Sequence, residues 1–392
     1  MGYRRLTYLD HAATSFPKPP AVIREVTRCL TEYGGNPGRG AYALSRVAAA
    51  KVFECRTLAA SLLGLSDPAR VFFTGNTTQG INTVLKGLLR EGDHVILSDM
   101  EHNAVYRPLY KMWEEGRITM DVFSSMAGDP DRSPEIICKN IEDLIKPKTR
   151  LVICTHASNI CSLTMPIREI GVLCRQRGVY FVVDGAQSAG HSTIDVEGMG
   201  IDALCVTGHK GLLGPQGGGM VLLGEGVCSD TLCEGGNGMA SLEGAMSEES
   251  PERYEAGTLP TPAIAGLCEG LRTVSAIGTE EISFREQFLY RMARERLGNT
   301  AGITLYVPEY EGAILLFNVD GYPSEEVGRR LDLAGICVRC GYHCTALGHR
   351  TLGTEQGGAV RLSFGIGNTP RDVDRMWREI QALSVRREAQ KQ

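Results

Sequence analysis

The sequence lacks any apolar run of the roughly 20 residues that a membrane-spanning helix needs. It lacks a surplus of one charge: 41 Lys and Arg stand against 46 Asp and Glu, a net charge of −5. The two signs are scattered, so no nucleic-acid footprint and no anionic-membrane surface is predicted. Internal repeats are missing, and low-complexity sequence is confined to the polar last few residues. The opening "MGYRRLTYLD" has no apolar core of a signal peptide, and Leu6 stands where a myristoylation signal wants Ser or Thr. The cysteine count of 13 is odd in a chain of 392 residues, which argues against a disulfide scaffold. Several cysteines fall inside apolar runs (Cys154 in "LVICT", Cys205 in "DALCV"), where the thiol acts as a small hydrophobe. A reducing compartment, the cytoplasm, is the expectation.

What remains is an ordinary globular composition, 43% hydrophobic and 22% charged, in a chain long enough for two domains. Short β-rich runs alternate with helical patterns. "RVFFT" precedes "TTQGINTVLKGLL", "HVILS" precedes a segment through Lys111, "ITMDVF" precedes "PEIICKNIEDLI", and "RLVICT" precedes "PIREIGVLCRQRG". "VYFVVD", "DALCVT" and "GMVLL" follow. This predicts an α/β fold with a mostly parallel sheet flanked by helices. From about 225 to 260 the pattern dissolves into a Gly-, Glu- and Ser-rich loop, of a length more often functional than idle. Two helices follow Pro262, then strands "AILLFNV", "ICVRC" and "AVRLSF" among further helices, as in a smaller α+β domain.

Three places carry chemistry. In "FTGNTTQGIN" a strand ends in a glycine turn, and Thr77 and Thr78 open a helix whose free N–H groups favour an anion. The Gly75-x4-Gly80 spacing imitates a P-loop, but Ile81 stands where its lysine should be. In "YFVVDGAQSAGH", Asp184 ends an apolar strand at the edge where open α/β sheets bind ligands; a helix cap or a structural ion pair would account for it equally well. In "DALCVTGHKGLLGPQGGGM", His209 and Lys210 stand at a strand mouth, where desolvation turns a lysine into a Schiff-base nucleophile; alone, it would read as an exposed loop lysine. Together the three are the anchors of pyridoxal phosphate: a cradle for the phosphate, a carboxylate for the ring nitrogen and a lysine for the aldehyde.

The ordered set "YLDHAATSFPKP", "TTQGIN", "DMEHNAV", "THASNICSLTMPI", "VDGAQSAGH", "TGHKGLLGPQGGG", "YEAGTLPTPA", "VRCGYHC" and "RLSFGIGNT" resembles the cysteine desulfurase and selenocysteine lyase family. That family consists of class V aminotransferase-like enzymes of pyridoxal-phosphate fold type I. The resemblance runs nearly end to end and is nearest the short-loop, SufS-like branch. It implies a large cofactor-binding domain over 16–261 and a small domain over 1–15 and 262–392 that carries a catalytic cysteine loop. It implies that Lys210 holds the cofactor as a Schiff base, Asp184 pairs with the ring nitrogen and Gln187 bonds the phenolate oxygen. His102 would lie over the ring and shuttle protons. Thr78, Thr207 and His209, with Thr77 beside them, would hold the phosphate, and Thr258 would reach the phosphate of a second subunit in a homodimer. Asn159, Arg339 and Arg361 would bind the substrate, Arg361 clamping its carboxylate.

The stretch "GICVRCGYHCTALGH" packs three cysteines into eight residues. A metal knuckle, a disulfide, plain packing and a nucleophile are all open from the stretch alone, although no second pair at zinc spacing is apparent. The resemblance assigns Cys344 as the cysteine that takes sulfur from L-cysteine as a persulfide, releases alanine and serves a protein sulfur acceptor. Cys337 alternates into a β-like run as core, and Cys340 is left open as a regulatory or relay thiol. His343 is not assigned as base to Cys344, because neighbours in an extended loop point opposite ways. The same site would serve a selenocysteine lyase, and a non-catalytic sulfur carrier is the remote alternative. Asn237 stands where relatives often carry Thr, and the 17 positions from Cys344 to Arg361 hold a slightly long insert. Neither metal nor nucleic acid nor membrane is expected as a partner.

Overall fold

The structure, a computed structural model, describes residues 6–38, 40–239 and 241–391, with side chains up to 384. The N-terminal patterns read above fall largely on residues 1–5, outside the described residues. The strands are β1 (Thr7–Tyr8), β2 (Val71–Thr74), β3 (Asp93–Ser98), β4 (Ile118–Phe123), β5 (Thr149–Thr155), β6 (Tyr180–Asp184), β7 (Ala203–Thr207), β8 (Gly219–Leu223), β9 (Ile303–Tyr306), β10 (Ile314–Val319), β11 (Ile336–Cys337), β12 (Arg339–Gly341) and β13 (Ala359–Ser363). The helices are α1 (Pro20–Arg28), α2 (Ala43–Leu62), α3 (Thr77–Leu88), α4 (Asn103–Glu114), α5 (Pro134–Glu142), α6 (Ile167–Arg177), α7 (Thr261–Ile277), α8 (Thr279–Gly298), α9 (Ser324–Leu333), α10 (Ala346–Thr351) and α11 (Pro370–Lys391).

Seven strands form one sheet in the order β2-β8-β7-β6-β5-β3-β4. All pairs are parallel except the two that β8 makes. β7 is buried at every position and β5 at all but its first two, because helices cover both faces. Strand alternation divides the apolar residues between the two layers. Val152, Cys154, Phe181 and Val183 face one core; Leu151, Ile153 and Val182 face the other. Helix α7, although C-terminal to residue 261, contributes Ile264, Leu267 and Leu271 to the first of these cores. The cysteines are all free, and burial pushes the thiols of Cys154, Cys174 and Cys205 up, as suits packing groups.

A second sheet, antiparallel and ordered β12-β13-β10-β9, has its own core with Phe317, Val360 and Leu362. Beside it β1 pairs with β11, and Asp10 bridges to Ser363, so the N-terminal segment lies along β13. Among the described residues no helix is long and apolar enough to cross a membrane.

Residues 224–251 are irregular and return to the large sheet at Glu255. β2 is an edge strand with one row of backbone groups unpaired by the ladder. Glu255 accepts the Phe73 N–H at 2.6 Å, and Arg56 donates to the Val71 carbonyl. The two side chains are ion-paired and buried, with the guanidinium 4.6 Å from the Phe73 ring centre. Removing one member strands the other charge. Glu255→Ala is therefore expected to destabilise the fold by about 3–5 kcal/mol, read as a lowered urea midpoint with an unchanged slope; a loss below 1 kcal/mol would mean that water replaces the carboxylate.

Candidate active site

The strands β2, β3, β5, β6 and β7 all deliver their carboxyl ends to one cavity of about 260 Å3. Of the residues expected to act, Thr77, Thr78, His102, Asn159, Asp184, Gln187, Thr207, His209, Lys210, Arg339, Cys344 and Arg361 line it. Thr258, expected to reach the phosphate of a second subunit, is exposed and does not line this cavity.

One end of the cavity is built for an anion. Asn76 caps α3 by accepting the Gln79 N–H at 2.9 Å, and the N–H groups of Thr77 and Thr78 at the helix start have no intrahelical acceptors. The hydroxyls of Thr77 and Thr207 and Nδ1 of His209 are buried there without a hydrogen-bond partner. Buried polar groups are ordinarily satisfied, so three facing one cavity describe a cradle for an oxyanion at a helix N-terminus. Burial, with Lys210 and Lys18 nearby, holds the His209 imidazole down to about 4, so it is neutral at pH 7.

At the strand ends stand Asp184 and Lys210. No helix begins at Asp184; its carboxylate accepts the Ala186 N–H at 2.9 Å. Burial raises its carboxyl, and the Lys210 charge opposes that rise. Burial pulls the Lys210 ammonium down to about 8, with Asp184 resisting and the Arg361 and Arg339 guanidiniums assisting. A desolvated lysine of this kind releases its proton more readily than a solvated one. His102 caps α4, its Nδ1 accepting the Ala104 N–H at 3.0 Å. Burial first, then the charge of Lys210, depresses it to about 4. Neutral with Nδ1 occupied as acceptor, the ring carries its proton on Nε2.

The third wall comes from the small sheet. Arg361 and Arg339 face each other across β13 and β12. The Arg361 guanidinium is 2% exposed, donates to Asp10 at 2.7 Å and to the Asn159 carbonyl at 2.8 Å, and leaves Nε unpartnered. Asn159, expected to bind the substrate, lines the cavity; its Nδ2 donates to the His343 carbonyl at 2.6 Å and its Oδ1 accepts the Thr345 hydroxyl. The Cys344 carbonyl between them accepts the Asn103 N–H at 2.7 Å. Three successive residues are thus pinned, with Cys344 exposed and in the left-handed region at φ 58°.

Strand parity turns Cys340 away from the side that Arg339 takes. On β12, Arg339 and Gly341 share one face and Cys340 takes the opposite one, where its sulfur abuts Gly328 of α9. Burial and the Glu325 carboxylate push that thiol up to about 11. Cys337 is half-buried beside β1. Among the described residues no cluster of metal ligands occurs. His343 is buried, stacked on His349 at 5.4 Å, and held neutral near 3 by burial and Arg361.

Two contributors were not singled out from the sequence. The segment 10–18 fastens the site. Ala12 accepts the Gln187 amide at 2.9 Å, and the His209 carbonyl receives Ser15 N–H and the Lys18 ammonium at 2.9 and 2.8 Å. Its motif "YLDHAATSFPKP" was visible, but not what it touches. His349, through Nε2, accepts the His343 N–H at 3.1 Å and steadies the cysteine loop; nothing local in the sequence marks it.

The family model for aminotransferase class-V matches residues 7–376. A probable cysteine desulfurase of Methanothermobacter thermautotrophicus is 34% identical over 388 residues, 96% of this chain and 94% of the relative. A cysteine desulfurase of Salmonella agona is 32% identical over 380 residues, covering 95% and 91%. The structure superposes on the apo cysteine desulfurase of Thermococcus onnurineus with a TM-score of 0.88 at 28% identity, covering 97% of this chain and 95% of that one.

Asn159→Ala removes both bonds to the cysteine loop and leaves the buried His343 carbonyl only the longer bond from the Thr345 hydroxyl at 3.4 Å. It is expected to lower stability by about 1–3 kcal/mol and to speed amide exchange selectively over 342–346 in deuterium-exchange mass spectrometry. Unchanged exchange there would mean that the Asn103 and His349 contacts hold the loop unaided.

Proposed function

The chain belongs to the aminotransferase class-V family, and from that we propose how its residues carry out the activity of a cysteine desulfurase, the conversion of L-cysteine to L-alanine with capture of the sulfur. The observation that carries this reading is the position of Cys344, exposed and held in a left-handed turn at the rim of the cavity that contains Lys210 and Asp184.

The cavity fits pyridoxal phosphate on its own chemistry. The unpartnered Thr77, Thr207 and His209 atoms match a phosphate's need for donors, Asp184 matches a ring nitrogen, and Lys210 matches an aldehyde. When bound, this cofactor supplies an electron sink for the amino acid's α-carbon. The reading gives Thr77, Thr78, Thr207 and His209 the phosphate, Asp184 the ring nitrogen, Gln187 the phenolate oxygen and Lys210 the aldehyde. Thr258 of the partner subunit would complete the phosphate site in a homodimer. On this reading the chain divides into a large domain over 16–261 and a small one formed by the remainder.

The remaining roles follow from the protonation states. His102 presents Nε2–H to the cavity, a donor that keeps a proton available beside the reacting carbons. Arg361 offers Nε to the substrate carboxylate while Asp10 and Asn159 hold its other nitrogens, and Arg339 adds charge from the facing strand. The N-terminal ends of α3 and α4 both open toward Cys344, and helix N-termini favour negative charge. The thiolate is the attacking form. It attacks the substrate sulfur: the Cys344 S–S bond forms, the substrate Cβ–S bond breaks, and the electron pair returns to carbon, which takes a proton and leaves as alanine. A protein thiol then accepts the sulfur.

Two outcomes test this reading. Cys344→Ala is expected to reduce alanine release from L-cysteine by about a hundredfold or more while retaining the cofactor's absorbance; undiminished release would remove Cys344 from the mechanism. Selenocysteine run in parallel separates a desulfurase from a lyase. A second outcome concerns Lys210, whose amine is the nucleophile only when neutral. Because its folded value is depressed to about 8, cofactor addition to the apoprotein should accelerate roughly tenfold per pH unit below 8 and level off above it. A rise continuing to pH 10 would contradict the desolvated lysine.

A further inference from the structure

Cys344 belongs to two cavities. Beyond the reaction chamber it also lines an open groove of about 610 Å3, and Thr78, His102 and Ala104 are shared between the two. The groove runs outward between α3 and α4. Helical spacing of four builds its walls: Thr78, Asn82 and Lys86 on α3, and Asn103, Arg107 and Lys111 on α4. Arg117 closes the far end with Glu115, which lies 3.8 and 3.9 Å from Lys111 and Arg117.

The charge balance is one-sided. Four cations and one carboxylate line the groove, all five exposed. Among the described residues, Lys86 and Arg107 have no carboxylate within ion-pair distance. A chain with a net charge of −5 has gathered this positive strip beside its one exposed catalytic-loop thiol. The two helix N-termini at the Cys344 end add positive potential in the same sense.

The geometry points to this groove as the docking track for an acidic, extended segment of the protein that accepts the sulfur, with the accepting thiol placed at Cys344. The inference rests on the desulfurase reading above. The eight helical steps from Thr78 to Lys86 rise ~12 Å, the reach of about four extended residues. The carboxylates of the occupant therefore lie within about four residues of its cysteine. The transfer balances without a further reagent. The acceptor thiolate attacks the outer sulfur of the Cys344 persulfide, a new S–S bond forms to the acceptor, the bond to Cys344 breaks, and its electron pair stays on Cys344 as thiolate. Opposite charge raises the encounter rate and sets the register.

The test uses the cofactor-loaded, full-length enzyme and three synthetic peptides, each with one cysteine followed by a short Asp/Glu, Asn/Gln or Lys run. Loaded with persulfide from L-cysteine, the enzyme should pass sulfur to the acidic peptide at least about tenfold faster than to the amide peptide. That advantage should vanish in Lys86→Glu/Lys111→Glu and near 1 M salt, where the screening length is ~3 Å. Arg107 is left intact in this variant because its charge bears on His102. Alanine release with dithiothreitol as acceptor should be unchanged in the variant. Equal rates for the acidic and amide peptides, or an advantage that survives charge reversal, overturns the docking track. So does a short oligouridylate that binds in competition while the acidic peptide does not. If no alanine is released even with dithiothreitol, the desulfurase reading itself falls. Fluorescence anisotropy of the acidic peptide with serine for cysteine then still decides whether the groove binds acidic chain.

Discussion

A buried guanidinium holds this site together. Arg361 is nearly devoid of solvent and has three obligations: a carboxylate at Asp10, a carbonyl at Asn159 and a free Nε toward the cavity. Each fixed contact fastens a different part of the chain. Through Asp10 it fixes the N-terminal segment whose next residues bind Gln187 and the His209 carbonyl. Through Asn159 it fixes the amide that grips both neighbours of Cys344. A charge so deeply buried persists only when paired and hydrogen-bonded. The pairing that satisfies Arg361 therefore also places the lysine turn and the cysteine loop.

The same low dielectric sets the protonation states. Burial raises Asp184 and lowers Lys210, His102 and His209, while their mutual charges oppose or extend those shifts. The result is a cavity with a lysine that gives up its proton more readily than a solvated one and imidazoles without charge, lined by two guanidiniums. Such a cavity attracts anions, and it has hydrogen-bond donors ready for oxygen atoms at one end and a cationic wall at the other. Cys344 stands between this interior and the basic groove outside.

Much of this was legible in the residues. Apolar runs located the strands of the large sheet because buried parallel strands have no polar face to blur them. Asp184 and Lys210 could be placed at strand ends because the run itself stops there. Alternation along "CVRCG" was used only for Cys337, and the side that Cys340 takes, opposite Arg339, came from the sheet. What could not be read were contacts that join distant segments. Asp10 meets Arg361 across 351 positions, and Asn159 meets His343 across 184. No local pattern encodes which acceptor an asparagine finds, so the engagement of Asn159 with the loop had no signal. The antiparallel run of β8 was equally silent, since its composition matches that of its parallel neighbours.

The pair Arg56–Glu255 has a bearing on solubility. An open edge of a sheet is a template onto which another chain's strand can add. β2 is such an edge, and its Val71 carbonyl and Phe73 N–H would be the first rungs of an intermolecular ladder. The long irregular segment, by returning Glu255 to that edge, acts as a gatekeeper against sheet-to-sheet association. Its glycine-rich sequence can vary in many ways without harm to the core. A variant in which this segment lifts away would lose the buried ion pair and uncover the edge together, so it would precipitate more readily than its lowered stability alone would cause.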